Sequence, residues 1–136
     1  MSAESSQRTH AEAKIAVQTY EPEPYDTDAP ALVRIHVTEQ FSGDIEGEGV
    51  ANFLQVSLAE DSASFVGLER VTGRVGERSG TFVLQDEGRL EGTTVSGRWF
   101  VVPGSGTAEL VGLRGEGGFT AQLGEGADVT LDFWFE

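Results

Sequence analysis

Four polar side chains stand on faces of the chain that are otherwise apolar: Glu39, Asn52, Glu69 and Asp86. Glu39 alternates in phase with Val33, Ile35, Val37 and Phe41, and Asn52 with Val50, Leu54 and Val56. Glu69 is in phase with Val71, and Asp86 with Phe82 and Leu84. Burying a carboxylate costs several kcal/mol unless it is paired or protonated. In a dry pocket such a group becomes an acid or base near neutral pH. Gly76-Glu77 reads as a two-residue hairpin loop between Phe65–Val75 and Arg78–Glu87. That loop sets Val71 against Phe82, Glu69 against Leu84 and Gly67 against Asp86. Asp86 then lies diagonal to Glu69 on one face, about 7–8 Å away at Cα, with no side chain at Gly67 to fill the gap. A protonated acid beside a carboxylate can protonate one atom of a ligand and deprotonate another. Glu69 and Asp86 are therefore the candidate catalytic pair. Glu39, Asn52, Phe82, Trp99, Phe133 and Tyr25 are the candidate substrate-binding residues, Tyr25 by reaching over a barrel mouth, with a packed surface tyrosine as its simpler reading. The structural alternatives are a bulge, a slipped register, or salt bridges to Arg74 or Arg98.

Other chemistries fail on missing parts. Ser105 as a nucleophile needs a histidine base. The only histidines are His10, in a polar leading segment, and His36, on a polar strand face. The chain has no cysteine, which excludes disulfides, thiolate nucleophiles and Cys-ligated zinc. Gly104-Ser105-Gly106 and Gly115-Glu116-Gly117-Gly118 resemble phosphate cradles, but the Lys-Ser/Thr of a P-loop and any βαβ context are missing. They read as structural corners. A carboxylate calcium site at Glu39, Glu46 and Glu48 is conceivable; a solvated acidic rim is the simpler reading. No motif demands a metal or cofactor, so none is expected.

The elements that must hold these residues are strands. The chain has 136 residues, 38% of them hydrophobic, with 18 glycines. This suits one domain with a real core and many short turns. The net charge of −14 disfavours nucleic acid and anionic membranes as partners. No apolar run reaches the length of a membrane span, and residues 1–12 lack a signal-peptide core and read as a flexible polar tail. A cytoplasmic location is expected. A first strand is read over Lys14–Glu21, with Ile15, Val17 and Thr19 on one side and Tyr20 on the other, followed by an irregular crossing, EPEPYDTDAP. Gly43-Asp44 is read as a type II′ turn that sets Val37 against Val50, Ile35 against Asn52 and Glu39 against Glu48. Later strands place Val95, Gly97, Trp99 and Val101 on one face, and Val129, Leu131, Phe133 and Phe135 inward after a GEG turn. Between them, Pro103 ends a strand, Gly104-Ser105-Gly106 turns the chain, and Thr107–Leu113 forms a short helical plug. About eight strands joined by short turns predict an all-β, single closed antiparallel β-barrel over residues 13–136, one end plugged.

RVTGRVGERSGTFVLQDEG, then GRWFVVPGSGTAELVGLRGEGGF and the LDF ending, resemble the bacterial domain-of-unknown-function family numbered 3224. The likeness runs from about Tyr25 onward. Gly104-Ser105-Gly106, Gly112 and Gly115 also resemble the glycine pattern of allene oxide cyclases and dirigent proteins. That second resemblance implies an allene-oxide-cyclase-like barrel; the first implies no assigned reaction. Members of the 3224 family tend to carry His where this chain has Asp86, which implies a different chemistry at that position. The function expected is a cofactor-free isomerase or cyclase acting on a mostly apolar small molecule in the barrel. The alternatives are a non-catalytic binder of such a molecule, or a structural protein with a filled lumen. A homo-oligomer is left open.

Overall fold

The computed structural model describes residues 7–123 and 125–136. Eight strands follow one another: β1 (Thr9–Asp26), β2 (Ala31–Gly43), β3 (Ile45–Ala59), β4 (Ser62–Val75), β5 (Arg78–Glu91), β6 (Thr94–Val101), β7 (Leu113–Gln122) and β8 (Ala127–Phe135). Each is antiparallel to the next, and β1 pairs with β8, so the sheet closes into a barrel. Closure is what the alternating pattern asks for. One side of every strand is apolar enough to fill an interior, and a closed sheet leaves few edges exposed.

The β4–β5 hairpin has the expected register, with Glu69 opposite Leu84 and Gly67 opposite Asp86. Gly76 takes φ +58° at its turn. The β2–β3 register differs by one residue. Val37 lies opposite Ala51, Ile35 opposite Phe53 and Glu39 opposite Gly49. Gly43 is not the first turn residue: it still pairs with Ala13, and the Asp44 amide donates to the Glu12 carbonyl, which lengthens the corner. A one-residue slip sends every side chain of a strand to the other face. Gly49, Ala51 and Phe53 therefore point inward. Val50, Asn52, Leu54 and Leu58 point outward and are exposed.

The first strand is longer than expected. It begins at Thr9, inside the segment read as tail, and Ala11 and Ala13 are buried against β8. Residues 1–6 of that tail lie outside the described residues, as does Gly124 of the GEG turn. The strand also runs through EPEPY to Asp26, paired with β2 throughout. A bulge between Val17 and Thr19 shifts its phase. Val17 opposes Glu39 before the bulge, and Tyr20, Pro22 and Pro24 oppose Val37, Ile35 and Val33 after it. Tyr20 thus joins the inner face, and Tyr25 does not.

Two apolar clusters fill the interior. The larger contains Phe41, Ile45, Val71, Val75, Phe82, Leu84, Val101, Leu113, Leu131 and Phe133, and is capped by Leu110. Leu110 belongs to a 3₁₀ turn, Ala108–Leu110, shorter than the one or two helical turns expected. Glu109 accepts a hydrogen bond from the Ser79 amide, and the Thr107 hydroxyl from the Thr81 amide, so the plug is fixed to the start of β5. The smaller cluster is Ile35, Val37 and Ala51, with Val33 and Phe53 packed on it. Among the described residues, no helix is long and apolar enough to cross a membrane.

Candidate functional site

Three charged residues are buried among the described residues, and all are acids: Glu69 is 1% exposed, Asp86 3% and Glu39 8%. They come from β4, β5 and β2, each inward-facing by strand alternation. Strand tilt and register bring them together. Asp86 is diagonal to Glu69 across the β4–β5 hairpin. Glu39 reaches Glu69 across β3, where Gly49 offers no side chain. A Cβ at Gly49 would fall on Glu69 Oε2 and against the Phe41 ring. Gly67 does not keep space open between the acids as the sequence suggested. The ring of Phe53 occupies it, and a Cβ at Gly67 would strike that ring.

The acids have no counter-charge. Both carboxyl oxygens of Glu69 and Oδ1 of Asp86 are sealed from solvent and make no hydrogen bond. Arg74 pairs instead with Glu46 and Arg98 with Glu87, both at the surface, so the salt-bridge alternative does not hold. Burial, then the adjoining Glu39 carboxyl and the Asp86 charge, raise the Glu69 pKa well above the usual carboxylate range. Burial and then the Glu39 charge push Asp86 up to about 8. The Glu39 and Glu69 carboxyls neighbour one another as hydrogen-bonding groups, yet their oxygens are not in standard hydrogen-bond geometry. Two carboxylates this close in a dry interior repel, which together with burial favours the protonated form of Glu69.

Above the acids the inner wall is aromatic. Phe53 lies edge-on to Phe65 at 5.4 Å, and Phe65 stacks with Phe119 at 6.3 Å. Phe119 meets Trp99 at 5.3 Å, and Trp99 meets Phe41 at 6.3 Å. Phe53, Phe65 and Phe119 each face a glycine on the neighbouring strand: Gly67, Gly88 and Gly97. A Cβ on any of these glycines would collide with the ring. The three rings are only half-buried and line the inner rim, or mouth, of the barrel at the end opposite the plug. The Trp99 indole N–H is satisfied by the Thr130 carbonyl, 3.0 Å away, across the side-chain-free Gly117.

The other expected site residues lie elsewhere. Asn52 is outside, bonded to His36 Nδ1 at 3.0 Å. Tyr25 is outside too, with the Arg34 guanidinium 5.5 Å from its ring. Phe82 and Phe133 are inside but belong to the packed core at the plugged end, away from the mouth. Glu46 and Glu48 face outward while Glu39 faces inward, so the three do not form a calcium site. Among the described residues no three His, Cys, Asp or Glu side chains converge to hold a metal ion. The sequence reading missed Tyr20, Phe53, Phe65 and Phe119. The paired prolines at 22 and 24 carried a signal for Tyr20, because prolines two apart share a face and must turn their missing N–H groups away from a partner strand.

Two surface grooves, of about 1200 and 1060 Å³, cross the strands. They are lined mainly by outward side chains, Arg89 and Thr120 in one, Leu68 and Phe100 in the other. Neither touches Glu39 or Glu69, but the second is also lined by Asp86, Trp99 and Phe53, and the first by Phe65 and Phe119. The unpaired buried acids, not groove size, locate the candidate chemistry at the inner mouth.

A closed eight-stranded barrel with an acid floor and an aromatic mouth is the class of protein this geometry defines. The sequence profile of the family described as "Protein of unknown function (DUF3224)" matches residues 10–133, and the chain belongs to that family. A solved structure from Shewanella oneidensis MR-1, a protein with unknown function from the same family, is similar over 96% of this chain and 99% of its own. Its TM-score is 0.75 at 28% identity. No curated protein matches the chain.

Proposed function

We propose that the barrel admits a mostly apolar small molecule through its aromatic mouth and isomerises or cyclises it by moving a proton. The supporting observation is Asp86. Its carboxyl is buried without a cationic partner, and with a pKa of about 8 it holds its proton at neutral pH. In this reading Asp86 delivers a proton to the ligand, and the Glu39–Glu69 pair takes one up. Glu39, the more exposed member of that pair, meets the ligand, and Glu69 positions Glu39 from beneath. Phe53, Phe65, Phe119 and Trp99 hold the apolar body and keep water out.

The test uses cyclic ketones, some bearing a tertiary amine, incubated with the protein in D₂O and followed by NMR. Proton transfer washes deuterium into the α positions. The expected outcome is exchange on at least one ketone, lowered about 10²-fold or more in Asp86→Asn. Equal exchange in wild type and variant would remove Asp86 from the chemistry. The sealed state of both Glu69 oxygens supports a second reading, a binder without turnover. It predicts ligands that raise the melting temperature while no deuterium enters them.

A further inference from the structure

The inner wall of this barrel is electrically one-sided. Its ionisable groups are the carboxyls of Glu39 on β2, Glu69 on β4 and Asp86 on β5, with the Tyr20 phenol on β1 at the rim. The inward positions of β3, β6, β7 and β8 carry no ionisable side chain. Every Lys, Arg and His of the described strands faces outward or sits at a turn: Lys14, Arg34, Arg70, Arg74, Arg78, Arg89, Arg98, Arg114, His10 and His36. Buried acids with no hydrogen bonds need either protons or an external positive charge. The rings beside them present electron-rich faces, which attract organic cations about as well as they pack hydrocarbon. Three acids do not converge on a point as metal ligands would, and a bulky soft cation needs no such convergence.

We propose that the ligand of this barrel is an organic cation: an apolar molecule carrying a protonated or quaternary amine. It rests on the reading that the mouth takes a small molecule. The cationic nitrogen sits over Glu39 and Asp86, against Trp99 and Phe119, and the apolar body lies along Phe65 and Phe53. Binding expels one proton from the acid cluster to solvent, so that charge is conserved within the site. The proton that leaves is the one Asp86 carries, so for a cationic ligand the roles given above exchange: Asp86 becomes the carboxylate base and Glu69, still protonated, the acid. The Tyr20 phenol offers the rim one further hydrogen bond.

Two probes of equal shape decide it: benzyltrimethylammonium and its uncharged carbon isostere, neopentylbenzene. Titration calorimetry is run on the full chain between pH 6 and 9. The expected result is a cation preference of at least ~10-fold at pH 8, with cation affinity rising about 10-fold per unit from pH 6 to 8 and levelling above. About one proton should be released per cation bound, read by repeating the titration in buffers of different ionisation enthalpy. The quaternary charge does not titrate, so the slope belongs to the protein. Asp86→Asn should flatten the slope and erase the preference. If that variant does not fold, Asp86→Leu, uncharged and of similar bulk, provides the same comparison. Equal or tighter binding of neopentylbenzene, or a cation affinity independent of pH, overturns the inference but leaves an apolar-ligand barrel standing. Binding of neither probe overturns both.

Discussion

At the scale of single residues, Asp86 carries the sharpest expectation. Burial pushes its carboxyl up to about 8 in the fold, against an ordinary value of 3.8. Between those values the folded protein keeps the proton and the unfolded chain has lost it. The unfolded chain binds fewer protons there, so stability is fully present below pH ~4 and falls as pH rises to about 8. Glu69, raised in the same direction, adds to the slope. Melting temperature should therefore drop from pH 5 to pH 9, and Asp86→Asn, isosteric with the neutral acid, should flatten the drop and be the more stable protein at pH 9. A wild-type curve that rises over that range would show Asp86 ionised in the fold. Gly49 is the second test. A methyl there meets Glu69 Oε2 and the Phe41 ring, so Gly49→Ala should cost about 1–3 kcal/mol in urea unfolding. Pairing it with Glu69→Ala should recover part of that loss, because the two sites compete for one space. The sequence made Glu69 and Asp86 legible through a two-residue turn that admits one register. It could not do so for Asn52. The outward face of β3 carries Val50, Leu54, Val56 and Leu58, while the inward one carries Gly49, Ala51 and Phe53. Alternation points the more apolar set inward. Here the small set goes in, because bulky neighbours from β2 and β4 already fill that part of the lumen.

At the scale of elements, what pattern could read was turns with strict steric demands. Gly104 has φ +86° at the corner after Pro103, with open space around its missing Cβ. Gly106 differs: a Cβ there would run into the Leu110 carbonyl of the plug. Gly104→Ala should cost about 1 kcal/mol, a purely conformational loss. Gly106→Ala should cost more, since the plug must shift as well. Chemical denaturation of both variants checks the ranking, and the reverse order would mean the plug yields freely. The bulge in β1 was not legible, because Val17 and Thr19 alternate as an unbroken strand would. Its consequence is an upper half of β1 that pairs with β2 alone, while β8 stops at the Ile15 pair. That free edge is a hazard for strand addition. Pro22 and Pro24 remove two of the donors a second strand would need, since their missing N–H groups face away from β2. Restoring them, Pro22→Thr with Pro24→Thr, should promote concentration-dependent association in size-exclusion chromatography with light scattering. An unchanged elution mass up to high concentration would show the edge protected by something other than the prolines.

At the scale of the whole molecule, short turns and alternating faces were enough to foresee closure, because eight strands with one apolar side have no other way to bury it without edges. They could not show how unevenly the closed sheet is held. The β4–β5 hairpin pairs along its full length, from Ser62–Glu91 to Val75–Arg78. The closing seam between β1 and β8 spans only Thr9–Phe133 to Ile15–Ala127. It joins the parts of the chain farthest apart in sequence, so its formation carries the largest loop-closure entropy in the fold. Its side-chain ties lie at the surface: Lys14 to Asp128, His10 to Asp132 and Glu12, and Arg8 from beside β1 to Glu116 on β7. Exposed pairs of this kind contribute little and are screened by salt. The buried contacts of Ala11, Ala13 and Ile15 with Leu131, Val129 and Ala127 therefore hold the seam, and only Ile15 among the three β1 residues brings much apolar area to the task. The seam should be the first part of the barrel to open. Native-state hydrogen exchange should show the amides of residues 11–15 and 129–131 exchanging through a partial opening of lower free energy than the amides of 67–71 and 82–86. A second arm separates packing from charge: raising salt from about 0.05 to 0.5 M should change that opening energy by less than ~1 kcal/mol. Equal protection of the seam and the β4–β5 hairpin would mean that the barrel opens only as a whole.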